Sequence, residues 1–370
     1  MATTEIRAGS RLAAVLPRDQ HMTTSPDLRL SSYRYELPPD RIAQHPVAPR
    51  DASRLLVYHR DGATVEHRVF RDLADYLDPG DLLVVNETRV LPARLHPQRV
   101  GGNAPVEVFL TRSRSATEWE ALVKPGRRLP PGSRVEWDDG MSAEIVERIE
   151  NGGRLVRFSA PVTMAWIESN GTMPLPPYIR RDANIADSET YQTIYAAEPG
   201  SVAAPTAGLH FTDDLLQRIE AKGVRRKSVV LHVSTGTFRP VRTDDVTDHQ
   251  MDREFYRVSP GTLAAVRETK ARGGRVVAVG TTSVRTLETL ARDGLLDEER
   301  EVTGWSDLFL HPPNTPRVVD ALVTNFHFPE TTLLMLVSAF AGREQTLALY
   351  REAVESEYRF YSYGDAMLVI

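Results

Sequence analysis

The strongest constraint on the fold is an alternation in residues 161–370 between valine-rich runs and helical patterns, joined by turns of small and hydroxylated residues. The run Ser228–Val233, the run Arg275–Val279 and the run Val318–Val323 are each too short for a helix and too apolar for a surface strand. Between them lie amphipathic stretches. One spans 212–222, with Thr212 as its N-cap, Asp213 and Asp214 on the positive helix end, Leu215, Leu216 and Ile219 on one face, and Gly223 after it. Another follows Gly280 and turns Val284, Leu287 and Leu290 inward. Buried strands separated by helices imply an α/β fold with a largely parallel sheet, because parallel neighbours need crossovers. Asp81–Asn86, entered through the turn Asp78–Gly80, predicts one more buried strand.

Residues 95–160 follow another rule. Short alternating runs begin near Val106, Trp119, Arg134, Ser142 and Arg154, with turn pairs such as Pro131–Gly132 and Asn151–Gly152 between them. They predict a small β-barrel or sandwich domain inserted into an α/β catalytic domain made of 28–94 and 161–370. Residues 1–27 are a polar extension expected to be disordered, and Met22 offers a later start. Glu5, Arg7 and Arg11 interrupt any apolar core of a signal peptide there. No apolar run approaches membrane length, so a cytoplasmic chain is expected, most simply a monomer. The absence of cysteine removes disulfides, thiolate metal sites and a thiol nucleophile. With no His-Glu-x-x-His or similar spacing, no metal site is expected.

In open α/β sheets, ligands collect beyond the carboxyl ends of strands. Here those positions hold Thr237, Phe238 and Arg239; Thr281, Thr282, Ser283 and Arg285; Asn325 and His327; and the Thr206–Thr212 stretch with Gly208 and Phe211. The turn before the Val284 helix offers free N–H groups to an anion, although a Ser or Thr there is by default a cap. His210, His232 and His327 are candidate acids or bases. A packed, hydrogen-bonded histidine is the commoner case, above all for His232 inside an apolar run. Near the end, Tyr361, Tyr363 and Asp365 form either an aromatic turn or a base-stacking and ribose-binding group. Arg225–Lys227, Arg180 with Arg181, and Lys124 with Arg127 and Arg128 are possible phosphate contacts, or simply solvated charge. The net charge of −5 confines any polyanion to a local patch.

Nine segments in order carry a resemblance: Asp51–Val57, Pro79–Arg94, Met173–Ile179, Ala203–Thr212, Gly236–Val241, Val279–Glu288, Thr324–His327, Leu333–Glu344 and Tyr363–Leu368. Together they resemble the S-adenosylmethionine:tRNA ribosyltransferase-isomerase family of queuosine biosynthesis, from about residue 30 to the end. Ser234-Thr235, where that family has Gly-Leu, and the stretch His311–Arg317 depart from it. The resemblance implies transfer of the ribosyl part of S-adenosylmethionine to the aminomethyl group of a 7-deazaguanine at the tRNA wobble position. The products are epoxyqueuosine-tRNA, adenine and methionine. S-adenosylmethionine is then a consumed substrate, and no cofactor is implied. Such chemistry needs a base for a hydrogen beside the sulfonium and an acid for departing adenine. His210, His327 and Asp365 are the candidates. Thr281, Thr282 and Ser283 would hold the methionyl carboxylate, Phe211, Phe238 and Tyr363 would stack on bases, and Thr206, Gly208, Thr237, Arg239, Arg285 and Asn325 would complete substrate binding.

Two rival readings make different predictions. A methyltransferase would release S-adenosylhomocysteine, but no Gly-rich turn follows a first strand. A non-catalytic RNA-binding protein would show a broad basic face, against the overall charge of −5.

Overall fold

In the computed structural model, residues 25–102, 105–234, 236 and 241–370 are described. Leu82–Asn86, Val276–Val279, Ala321–Asn325 and Ala366–Val369 are buried at every position, as strands covered on both faces must be. They lie inside a nine-stranded sheet. Its strands in chain order are β1 (Arg54–His59), β2 (Thr64–Val69), β3 (Leu82–Asn86), β4 (Arg225–Leu231), β5 (Glu254–Val258), β6 (Val276–Val279), β7 (Val302–Ser306), β8 (Ala321–Asn325) and β9 (Ala366–Val369). Their order across the sheet is β7-β5-β4-β3-β6-β8-β9-β1-β2.

The expected largely parallel sheet is a mixed one. Strands β4, β3, β6 and β8 run parallel at its centre, and β9 runs parallel to β1. The pairs β7/β5, β5/β4, β8/β9 and β1/β2 are antiparallel. A single helix between neighbours keeps strands parallel. Between β8 and β9 stand two, α4 (Thr332–Ala341) and α5 (Arg343–Glu355), so the chain re-enters the sheet running the other way. Between β4 and β5 no α-helix intervenes among the described residues.

Alternate residues of the strands feed two cores. Leu56, Tyr58, Leu82 and Val84 pack under α2 (Pro260–Ala271), α3 (Thr281–Arg292), α4 and α5. Leu55, Val57, Leu83 and Val85 pack against α1 (Asp213–Ala221) and the 3₁₀ stretch Phe70–Tyr76. Each fully buried Leu or Val among them contributes roughly 1.5–3 kcal/mol. Helix α1 starts as its sequence dictates: the Thr212 hydroxyl accepts the Leu215 N–H at 3.2 Å. Gly223, at φ +91°, ends it in the left-handed region that glycine tolerates. Opposite the site, the Asp81 carboxylate ties the entries of β3 and β6 through Arg275 at 2.5 Å.

The second sheet is antiparallel throughout, with eight short strands between Arg94 and Thr172. Its outermost strands, Gly171–Thr172 and Gln98–Arg99, share no ladder, but Gln98 also bridges Pro105 just ahead of the strand Glu107–Ser113, so the sheet curls into a half-barrel. It has its own core, in which Trp137 stacks on Phe158 at 5.6 Å and meets Trp166 edge-on at 5.2 Å. Of the expected 1–27 extension, residues 1–24 lie outside the described residues, while Asp27 is held by Arg343 at 2.8 Å. Among the described residues, no helix is long and apolar enough to cross a membrane.

Candidate active site

The segment Thr206–His210 is a 3₁₀ turn laid across the carboxyl end of β8. Its Thr206 hydroxyl donates to Asn325 Oδ1 at 2.9 Å. The Asn325 amide donates to His210 Nε2 at 3.0 Å, and His210 Nδ1 meets the Ser53 hydroxyl at 2.8 Å. An amide on Nε2 leaves the ring proton on Nδ1, facing Ser53. Burial lowers the His210 pKa to about 3, with Arg359 and Arg50 adding to the effect, so the ring is neutral. It lies flat on Phe70 at 4.9 Å. Gly208 is required here, since a Cβ would collide with the Tyr195 hydroxyl. Beside His210 opens a cavity of about 280 Å³ whose walls include Arg50, Arg359 and Tyr363. The Tyr363 hydroxyl donates to Asp187 Oδ1 at 3.0 Å, and burial pushes its pKa up to about 12.

The remaining candidates do not line that cavity, although Asp365 adjoins it, its carbonyl accepting from the Asn325 amide at 3.4 Å. Both oxygens of Asp365 accept backbone N–H groups, from Arg54 at 2.9 Å and Arg359 at 2.8 Å, and neither described cavity reaches it. His327 is buried beside Thr324 Oγ1 at 2.8 Å, and burial takes its pKa down to about 3. Its carbonyl accepts from the Tyr35 hydroxyl and its N–H donates to Tyr350 Oη at 3.2 Å. Phe211 is a core residue, wholly buried against Phe70 at 5.0 Å, which leaves no face for a base. At the start of α3, Ser283 donates to the Val279 carbonyl at 2.8 Å, Thr281 is buried, and Thr282 Oγ1 is buried without a partner. No described cavity opens on that turn. Thr237, Phe238 and Arg239 lie outside the described residues.

The larger space is a cleft of about 1670 Å³ between the two sheets. Leu110, Arg112 and Trp119 line its antiparallel wall; His232, Phe255 and Trp305 line the mixed-sheet wall. His232 follows directly on the last residue of β4, and so stands at a carboxyl strand end. That position in front of a loop of small residues was the available signal; the apolar run before it masked it. Two residues at and just after the end of β3 place the ring. Asn86 holds Leu231 through both its amide N (2.9 Å) and its Oδ1 (3.1 Å), and Thr88 Oγ1 meets His232 Nδ1 at 2.8 Å. Gly200, at φ +148°, leaves the space that a Cβ would take from Nε2. Burial lowers the His232 pKa to about 4, so its ring is neutral near pH 7.

Arg285 lines the same cleft from α3 and forms a buried ion pair with Glu254. Three arginines of the two basic clusters outside the antiparallel sheet are engaged: Arg225 with Glu268 at 2.8 Å, Arg226 with Glu220 at 2.9 Å, and Arg181 with Asp187 at 2.6 Å. On the antiparallel sheet, Lys124 lies 3.6 Å from Glu107. Among the described residues, no group of three His, Asp or Glu side chains could hold a metal.

Residues 30–369 match the sequence model of a family described as "Queuosine biosynthesis protein". Curated relatives named S-adenosylmethionine:tRNA ribosyltransferase-isomerase align along their whole length. That of Thermotoga maritima is 50% identical over 343 residues, covering 93% of this chain and 100% of the relative. That of Heliobacterium modesticaldum is 52% identical over 346 residues, with the same coverage. The crystal structure of S-adenosylmethionine tRNA ribosyltransferase from Thermotoga maritima superimposes with a TM-score of 0.53 at 43% identity, covering 91% of this chain and 99% of that one.

Proposed function

The chain belongs to the queuosine biosynthesis family of S-adenosylmethionine:tRNA ribosyltransferase-isomerases, and from that premise we propose how its geometry serves the reaction. The enzyme transfers and isomerises the ribosyl moiety of S-adenosylmethionine onto the aminomethyl-7-deazaguanine of tRNA, giving epoxyqueuosine-tRNA, adenine and methionine. The observation that carries this is the match over 30–369 at about half identity to relatives covered end to end. S-adenosylmethionine is spent as a substrate, and no cofactor takes part.

The reaction occupies the cleft between the sheets. That cleft has room for a sulfonium nucleoside together with an unstacked base, and one chain supplies both walls, as a monomer requires. The nine-stranded body, 28–94 with 161–370, carries the chemistry, and 95–160 is the module that covers it. His232 is the proton-handling group: neutral near pH 7, it takes a proton from the substrate and returns it to adenine as the glycosidic bond breaks. His210 is the second neutral imidazole beside a described cavity, and it tests the alternative. A tRNA substrate fits a cytoplasmic enzyme.

Purified protein given S-adenosylmethionine and tRNA bearing the aminomethyl deazaguanine is expected to release adenine and methionine in equal amounts, read by chromatography. S-adenosylhomocysteine in place of adenine would overturn the assignment. Loss of turnover in His210→Ala but not in His232→Gln would move the chemistry to the smaller cavity.

A further inference from the structure

Three planar side chains stand in a row on the cleft wall. His232 lies nearly parallel to Phe255, with ring centroids 5.6 Å apart and planes at 25°. Phe255 faces Trp305 across the β5/β7 ladder and meets it edge-on at 5.7 Å. The Arg112 guanidinium, reaching from the antiparallel sheet, sits over the Trp305 ring at 4.4 Å. Trp305 is left 37% exposed, unlike the other three tryptophans, and it is the only aromatic among the exposed large hydrophobic residues described.

An exposed indole held at a cleft rim by an edge contact and a guanidinium is costly to leave in water and well placed to receive a flat partner. The charges around it point to the same partner. Arg148, Arg242 and Arg253 line this cleft and make no ion pair among the described residues. This contrasts with the engaged Arg225 and Arg226. Glu120, Glu150, Asp248, Asp252 and Glu254 also line the cleft, and Arg253 acts on the nearby Asp307 carboxylate, so the positive charge is confined to separate points rather than spread over a face. Flat acceptors next to isolated unpaired guanidiniums suit single-stranded nucleic acid, whose bases stack on aromatic rings while phosphates meet arginines.

We propose that Trp305, backed by Arg112, is the stacking platform for a loop base next to the modified one, and that this row is where the tRNA loop lies as its target base enters the cleft. The proposal rests on the tRNA-modifying reading above and assigns its RNA interface to the cleft rim rather than to the Arg225–Lys227 cluster.

The test uses the full chain, its tRNA and S-adenosylmethionine. Trp305→Ala is expected to weaken tRNA affinity and raise KM for tRNA about five- to a hundredfold, the span of a lost base-stacking contact. KM for S-adenosylmethionine should stay within about twofold, since the platform is assigned to the RNA at the cleft rim. Trp305→Phe should keep most of the affinity, and Arg226→Glu should change it little. Bound tRNA should also quench the indole emission of the native chain more than that of Trp305→Phe, a measurement that does not depend on the alanine variant folding. If native protein binds tRNA and quenching is the same in both, the platform is wrong. It is equally overturned if folded Trp305→Ala binds RNA normally, if both KM values rise together, or if the substitution only dissolves a dimer. Native protein that fails to bind tRNA at all would refute the underlying functional reading instead.

Discussion

Arg285→Met is the most informative single substitution for the architecture of the cleft. The Arg285 and Glu254 side chains are 5% and 1% exposed, so both charges have left water. The guanidinium also donates to the carbonyls of Leu308 at 3.3 Å and Ser306 at 3.4 Å, and Glu254 accepts the Ser234 N–H at 2.7 Å. One residue therefore ties α3 to β5, to the exit of β7 and, through Glu254, to the strand-end loop beside His232. Removing the guanidinium breaks a buried ion pair from one side, which costs about 3–5 kcal/mol. Arg226→Met also breaks an Arg–Glu pair, but its side chains are 34% and 45% exposed. An exposed pair of that kind is worth about 0–1 kcal/mol. Combining Arg285→Met with Glu254→Gln removes the buried negative charge as well, while keeping an oxygen for the Ser234 N–H. The double variant should then recover at least about 1 kcal/mol over Arg285→Met, a coupling within the range seen for contacting pairs. Urea unfolding of the four proteins without ligand measures this. If Arg285→Met costs no more than Arg226→Met, the pair is not the strut of the cleft wall.

Two further outcomes follow from buried polar groups. The His327 pKa falls from 6.5 unfolded to about 3 folded, so between those values the unfolded chain binds the extra proton; stability is full above pH 6.5 and declines as the pH falls toward 3. At pH 5 this group alone removes about 2 kcal/mol, and His327→Gln should lessen the loss between pH 7 and pH 5 by that amount; an unchanged loss in urea titrations would contradict its burial as a neutral ring. Asp365→Asn replaces one of two acceptor oxygens with a donor facing an N–H, at a cost of about 1–3 kcal/mol, while turnover per folded molecule holds; a hundredfold fall in turnover at an unchanged melting temperature would show that Asp365 reaches substrate.

Much of the body is legible because it rests on local chemistry. The valine runs, the Thr212 cap and the turn at Asp78–Gly80 each carry their own signal within a few residues, and each lands within a few residues of its expected place. The mixed sheet is less legible, because strand direction depends on how many helices intervene, and Leu333–Ala341 hides a second helix behind Gly342. Family motifs bring the Thr206–His210 turn to Asn325, yet they do not separate a group that touches substrate from one that holds a loop. Asp365 illustrates the difficulty: an aspartate beside a glycine has the same composition whether its oxygens face a ligand or, as here, two backbone amides.

The row on the cleft wall could not be found in any window of the sequence. His232, Phe255 and Trp305 each sit in an alternating or apolar run, where a ring is most simply a core residue. What distinguishes them is registry: the His232 N–H donates to the Phe255 carbonyl at 2.9 Å, and Phe255 pairs with Trp305, so three rings separated by many residues reach the same face of adjacent strands. A one-residue slip in either ladder would turn Phe255 away from the cleft and bring Glu254 or Tyr256, which now face the other way, into its place. The ion pair between Arg285 and Glu254 opposes that slip from the other face of the strand, because Glu254 can meet α3 only when Phe255 points into the cleft. The strut that stabilises the wall is therefore also what keeps the rings in line.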